Sequence, residues 1–243
     1  MSLATALTAF VFGLIAKEAP NVQRDPELAA RYTVDISTLV GIHESVSDGR
    51  LINKDMDVLV LTAVNYRESR LKNPSVDGDC HFDHALSAQP SASWPKGYKP
   101  VYKKRCNAVG PMQLAVGHRS NLPTWREISA EFSTDRGWDY EQPASLKKNG
   151  FTVDDLRDPR TNVRIAYAEL EHWKNTCVGK DGAASPVGVW LTAYRYGSCP
   201  AKGKASGRYY IDEEAKTRCK LVAEMASALT SDMEGLEPVR CDY

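Results

Sequence analysis

Three junctions constrain what this chain can fold into more than any other feature. Asp25-Pro26, Asp158-Pro159 and Ser185-Pro186 each set a side-chain oxygen immediately before a proline. That order suits a helix start, where proline's missing N–H goes unused and the preceding oxygen caps open backbone donors. Behind each junction apolar residues recur at helical spacing: Leu28, Tyr32, Ile36, Leu39 and Val40; then Val163, Ala166, Tyr167, Leu170 and Trp173; then Val189, Trp190 and Ala193. The turn Ser47-Asp48-Gly49 precedes a further helix opening at Asn53 or Lys54, and Leu221, Val222, Met225 and Leu229 mark a last one over about 212–231. The expectation is a mainly α protein, and 243 residues suffice for a substantial core.

The helix opening at Asn53 ends in Asn65-Tyr66-Arg67-Glu68-Ser69-Arg70-Leu71, before a break at Asn73-Pro74. Val58, Leu61 and Val64 share one face, and four residues further the same face carries Glu68. A glutamate on an apolar stripe has a partner, a task, or a route to water. Two later windows bear on which: Gly110-Pro111-Met112-Gln113-Leu114 and Ala193-Tyr194-Arg195-Tyr196-Gly197. Glycine lets backbone approach a ligand closely, glutamine offers both a donor and an acceptor, and methionine gives an adaptable apolar contact.

In that order the three windows resemble the soluble lytic transglycosylases and goose-type lysozymes, whose pattern is Glu-Ser at a helix end, then Gly-Leu-Met-Gln, then Ala-Tyr-Asn-Ala-Gly. Asp158-Pro159-Arg160-Thr161-Asn162-Val163 is similar to the family's Asp-Pro helix entry, and Gly207-Arg208-Tyr209-Tyr210 to its final tyrosine-containing turn. The resemblance spans about residues 30–230. It implies a lysozyme-like α-helical domain over 21–243, with a loop-rich insertion at about 72–108 that the resemblance does not explain. It also implies Glu68 as the catalytic acid and base, with Ser69, Gly110, Met112, Gln113, Tyr194 and Tyr210 lining the saccharide site. Asn162 is expected to bond backbone near that site. Pro111 replaces the family's leucine, Arg195 its asparagine and Tyr196 its alanine. Arg195 turned inward would depress the Glu68 pKa, so it is expected to face solvent or the saccharide.

The implied substrate is the β-1,4 bond between N-acetylmuramic acid and N-acetylglucosamine in peptidoglycan glycan strands, with no cofactor and no metal. Apart from Asp158, placed as the cap of a helix entry, no second acidic residue lies in the matching windows, which fits one glutamate acting twice to leave 1,6-anhydromuramyl ends. Asp77, Asp79 and Asp83 keep hydrolysis open as an alternative, and a non-catalytic wall-binding or virion-structural protein on the same scaffold is a third reading. A metallopeptidase is disfavoured, since no His-Glu-x-x-His run occurs.

Charge is balanced, 31 basic against 31 acidic residues, which gives no electrostatic reason to expect a nucleic-acid partner. Six cysteines (80, 106, 177, 199, 219 and 241) contain no Cys-x-x-Cys pair. Disulfides in an extracytoplasmic compartment, periplasm or cell envelope, or on a phage virion, account for them better than zinc. Cys80 with Cys106 and Cys177 with Cys199 are the expected pairs, though six cysteines allow fifteen connectivities. Cys80 and His84 stand four apart in an acidic run, without the second ligand pair a zinc site wants. Trp94, Tyr98 and Tyr102 are of a type that stacks on sugars or half-buries in loops. Residues 119–157 read as polar elaboration. Residues 3–16 are almost wholly apolar yet too short to span a bilayer. They read either as an atypical export signal or as a retained helix, with Leu3, Leu7, Phe10 and Leu14 on one face, docking on a partner or membrane surface.

Overall fold

The computed structural model describes residues 2–71, 80–81, 105–106, 108–115, 158–177, 186–196, 198–201 and 211–229, with 236, 239 and 241. The acidic run except for the backbone of 80–81, the aromatics Trp94, Tyr98 and Tyr102, the segment 119–157 and the turn carrying Tyr210 lie outside these residues. The described chain is mainly α.

The helices are α1 (Leu3–Glu18), α2 (Pro20–Arg24), α3 (Pro26–Val46), α4 (Lys54–Ser69), α5 (Pro159–Thr176), α6 (Val187–Tyr196) and α7 (Glu213–Leu229). Their starts follow the capping logic. Asp25 Oδ1 accepts from the backbone N–H groups of Glu27 and Leu28, at 3.0 and 3.1 Å. Asn53 Oδ1 accepts from Met56 N at 2.9 Å, and Asp158 Oδ2 from Thr161 N at 2.7 Å. At α7 Asp212 Oδ1 takes the N–H groups of Glu214 and Ala215. Each such cap is worth about 1 kcal/mol.

Five helices pack in a closed circuit: α3 on α4, α4 on α7, α7 on α6, α6 on α5, and α5 back on α3. Every residue of α4 from Met56 to Tyr66 is buried, so this helix is enclosed rather than half-buried. Burial of each large aliphatic side chain stabilises the fold by about 1.5–3 kcal/mol. The most enclosed helix is therefore the rigid support of whatever its last turn carries.

A polar device ties the start of α4 to its neighbours. Asp57 is fully buried and accepts from Leu51 N, Ile52 N and the Tyr167 hydroxyl, the last at 2.5 Å. The start of α4 is thereby pinned to α5. Leu3, Leu7, Val11 and Ile15 of α1 are buried in the same core, against α3. The stripe differs from the expected one: Phe10 and Leu14 are only partly buried, and Val11 and Ile15 take the inner positions. A helix apolar on most sides does not announce by periodicity which side a neighbour will cover.

Two disulfides join described residues, Cys177–Cys199 and Cys219–Cys241. The first is the expected pair and ties the end of α5 to the chain beyond α6. The second fastens the C-terminal tail to α7. Both fit an oxidising compartment. Backbone ribbons complete the description: β1 (Cys80–His81) pairs antiparallel with β2 (Arg105–Cys106), with Cys80 directly opposite Cys106. The strands β3 (Ala108–Val109) and β4 (Leu114–Ala115) form a tight hairpin. Among the described residues no helix is long and apolar enough to cross a membrane.

Candidate active site

The last turn of α4 ends at Ser69 because Arg70 and Leu71 both adopt left-handed backbone angles, φ 61° and 49°. For residues other than glycine this costs about 1–2 kcal/mol each. Leu71 is held there by complete burial. Arg70 is held by an ion pair from Nη1 to Glu18 and by lying over the Tyr66 ring. The helix therefore stops before the foreseen break at Asn73-Pro74, which lies outside the described residues.

Glu68, next to last in α4, has a side chain that is 22% exposed, and α7 faces it. Arg218 Nη2 donates to Glu68 Oε1 at 2.5 Å from a side chain only 4% exposed. Burial pushes the Glu68 carboxyl above the usual carboxylate range. The Arg218 guanidinium pulls it down, Glu214 pushes it up, and Arg195 and Arg67 pull it down; burial prevails. Glu214 is itself occupied, since Arg67 grips it with Nε and Nη2 at 2.6 and 2.9 Å and holds its carboxyl below the usual range. Among the described residues, the carboxylate whose charge acts on Glu68 is thus not free to act as a base.

Behind Glu68 runs a buried polar chain. His43 Nδ1 lies 3.0 Å from Thr62 Oγ1, and Asn65 Nδ2 lies 3.3 Å from His43 Nε2. An amide nitrogen only donates, so Nε2 accepts and the neutral ring keeps its proton on Nδ1. Burial pulls the His43 pKa down to about 3, which keeps the ring neutral. Ser69 Oγ then donates to Asn65 Oδ1 at 3.0 Å. The Ser69 hydroxyl proton is committed to this chain, leaving only its lone pairs for a further partner.

The hairpin β3–β4 presents the second window as a turn, not a loop-to-helix junction. Gly110 (φ 73°) and Gln113 (φ 50°) both take left-handed angles. The Gly110 carbonyl accepts from Gln113 N at 3.0 Å and from Gln113 Nε2 at 2.8 Å. Gln113 thus spends part of its amide on its own turn. The Met112 side chain is fully buried and packs into the core. Its peptide groups are held on both sides. Met112 N donates to Asn162 Oδ1 at 2.9 Å, the backbone contact expected of that asparagine, and Met112 O accepts from the Tyr194 hydroxyl at 3.1 Å.

Tyr194 on α6 joins the windows. Burial raises its pKa well above the ordinary value, and the charges of Glu68 and Glu169 raise it further while Arg218 lowers it. The phenol does not donate to the Glu68 carboxyl, because a hydroxyl has one proton and Met112 O takes it. Against family models, curated proteins and solved structures, the chain matches none. The windows of Glu68, Met112, Asn162 and Tyr194 nevertheless converge on one end of α4 although up to 126 positions separate Glu68 from Tyr194 in the sequence.

Arg195 faces outward, 42% exposed, donating to Asp212 Oδ1 at 2.9 Å and lying over the Tyr196 ring. The inward cation comes from Arg218 instead, which the sequence reading passed over. A signal was present: Arg218 stands four before Val222 and seven before Met225, on the apolar stripe of its own helix. Tyr210 lies outside the described residues. No group of three or more His, Cys, Asp or Glu gathers as a metal site among the described residues.

Proposed function

We propose that the chain is a peptidoglycan lytic transglycosylase, cutting the bond between N-acetylmuramic acid and N-acetylglucosamine with Glu68 as its single acid and base. The observation that carries this reading is the carboxyl of Glu68: part-buried, raised above the usual carboxylate range, and set on the most enclosed helix beside Tyr194 and the Met112 turn. A general acid needs a raised pKa and a fixed position; burial pushes the Glu68 carboxyl upward, and the enclosed helix holds it in place.

In the reaction, Glu68 gives its proton to the glycosidic oxygen as the bond from the muramyl anomeric carbon breaks. The acetamido oxygen of the same sugar closes onto that carbon. Glu68, now a carboxylate, takes the proton of the muramyl 6-hydroxyl, whose oxygen displaces the acetamido group and leaves the 1,6-anhydro ring. The proton is back on Glu68 at the end. Water takes no part, and Glu214, gripped by Arg67, is not available to activate one. The site of action is extracytoplasmic, in periplasm or cell envelope, or at the wall after delivery on a phage virion; the disulfides support either.

One observation favours a second reading. The ion pair with Arg218 is what a purely structural glutamate would have, and it supports a non-catalytic wall-binding or virion-structural protein. Digestion of purified peptidoglycan, followed by mass analysis of the released muropeptides, separates the cases. Anhydro ends are expected, and they should vanish in Glu68→Gln, which keeps an oxygen for Arg218 to hold. Reducing ends would replace transglycosylation by hydrolysis, and no release from folded protein would leave the second reading standing.

A further inference from the structure

Arg218 is buried, charged and only partly satisfied. An arginine side chain brings a positive charge and a planar fork of five donors. Arg218 meets Glu68 Oε1 through Nη2, while Nε and Nη1 are buried without a hydrogen-bond partner among the described residues. Nε stands 3.9 Å from Glu214 Oε1, beyond hydrogen-bond reach, and that carboxylate is already gripped by Arg67. The fork geometry of arginine permits two parallel bonds to a carboxylate. Here one arm is used. A pair built for stability alone would use both arms or be replaced by apolar side chains at little cost.

We propose that Arg218 is the positioning residue of this site: its buried guanidinium holds the Glu68 carboxyl in place and competes with the proton for it. The inference rests on Glu68 being the acid. The single contact fixes a side chain that otherwise has three free torsions at a helix end. It also favours the carboxylate that remains after proton donation. Burial pushes the other way, so the two effects on the Glu68 carboxyl oppose one another.

The other groups facing Glu68 are Glu214 from α7, Arg195 and Tyr194 from α6, and Arg67 from its own helix. On the α3 side stands His43, neutral and bonded to Asn65. Of the three cations, Arg195 pairs with Asp212 and Arg67 with Glu214, and both lower the Glu68 pKa less than Arg218 does. Arg218 is the cation whose short contact is Glu68 itself.

The test compares wild type with Arg218→Met, which keeps length and apolar bulk, and Arg218→Lys, which keeps the charge. Two readouts are taken on each folded protein: the pH profile of peptidoglycan cleavage, and the side-chain carboxyl titration of Glu68 by carbon-13 NMR, assigned through Glu68→Gln. In Arg218→Met the Glu68 titration should move up by one pH unit or more, with the basic limb of the activity profile following it. In Arg218→Lys both should stay within about half a unit of wild type. A Glu68 titration unmoved in Arg218→Met overturns the proposal. The NMR readout needs no activity, so wild type inert on peptidoglycan would sink the enzyme reading while the competition for the proton is still decided. A carboxyl that shifts as expected while the profile of an active enzyme does not would refute the positioning role.

Discussion

Replacing Asn162 by alanine asks how firmly the Met112 turn is tied to the helical core. Met112 N–H is buried and donates to Asn162 Oδ1 at 2.9 Å, and Asn162 is itself fully buried. Leaving that donor without a partner costs about 1–3 kcal/mol. The space vacated by the amide adds on the order of 1 kcal/mol where the surroundings cannot collapse. The expected loss is therefore about 2–4 kcal/mol, a large share of the roughly 5–15 kcal/mol typical of a folded domain. Urea unfolding followed by circular dichroism measures it as a lower midpoint at unchanged slope. Tyr194→Phe removes the bond to the carbonyl of the same residue and should cost about 0.5–1.5 kcal/mol alone. Both side chains hold one short turn whose Gln113 sits at a left-handed angle, so the double variant should depart from additivity by about 0.5 kcal/mol or more. An Asn162→Ala protein within about 0.5 kcal/mol of wild type would refute the reasoning, since an unpaired buried donor cannot be that cheap.

Further outcomes follow from the buried histidine and the disulfides. The folded pKa of His43, about 3, lies below the ordinary value of about 6.5, so the unfolded chain takes up this proton first. The contribution of His43 to stability is complete above about pH 6.5 and declines as the pH falls toward 3, at up to about 1.4 kcal/mol per unit. Unfolding free energies at pH 7 and pH 5 should show a loss of about 1–2 kcal/mol from this group, flattened in His43→Leu; an equal slope in the variant would count against it. Cys177 and Cys199 are 22 positions apart, a loop whose closure is worth about 3 kcal/mol, so the paired serine variant should unfold that much more easily in denaturant.

Much of the candidate site was legible in the sequence because its parts are local signals. Glu68 is a charge on an apolar stripe, Asn162 a polar residue inside one, and the Gly110 turn a break between ordered segments. What escaped was of two kinds. The enclosure of α4 depends on the helices packed on it, α3 and α7 foremost, and nothing in its own spacing beyond Val58, Leu61 and Val64 reports it. The polar chain from Thr62 through His43 to Asn65 and Ser69 joins residues of two helices, and pairing across helices leaves no periodic trace.

The sequence by itself determined α3 to α7, the capped starts at Asp25 and Asp158 and the class of fold, because capping, proline geometry and apolar spacing act over a few neighbouring residues. It also determined that Glu68 would stand at a helix end with an apolar face behind it. Only the tertiary structure decided which cation reached that carboxyl. Arg195 and Arg218 carry the same charge and both lie on helices near Glu68, yet Asp212 draws the first outward while the second is turned inward by the apolar stripe it shares. Charge is written in the sequence, but its effect on a proton depends on distance and burial, and those exist only once the helices have packed.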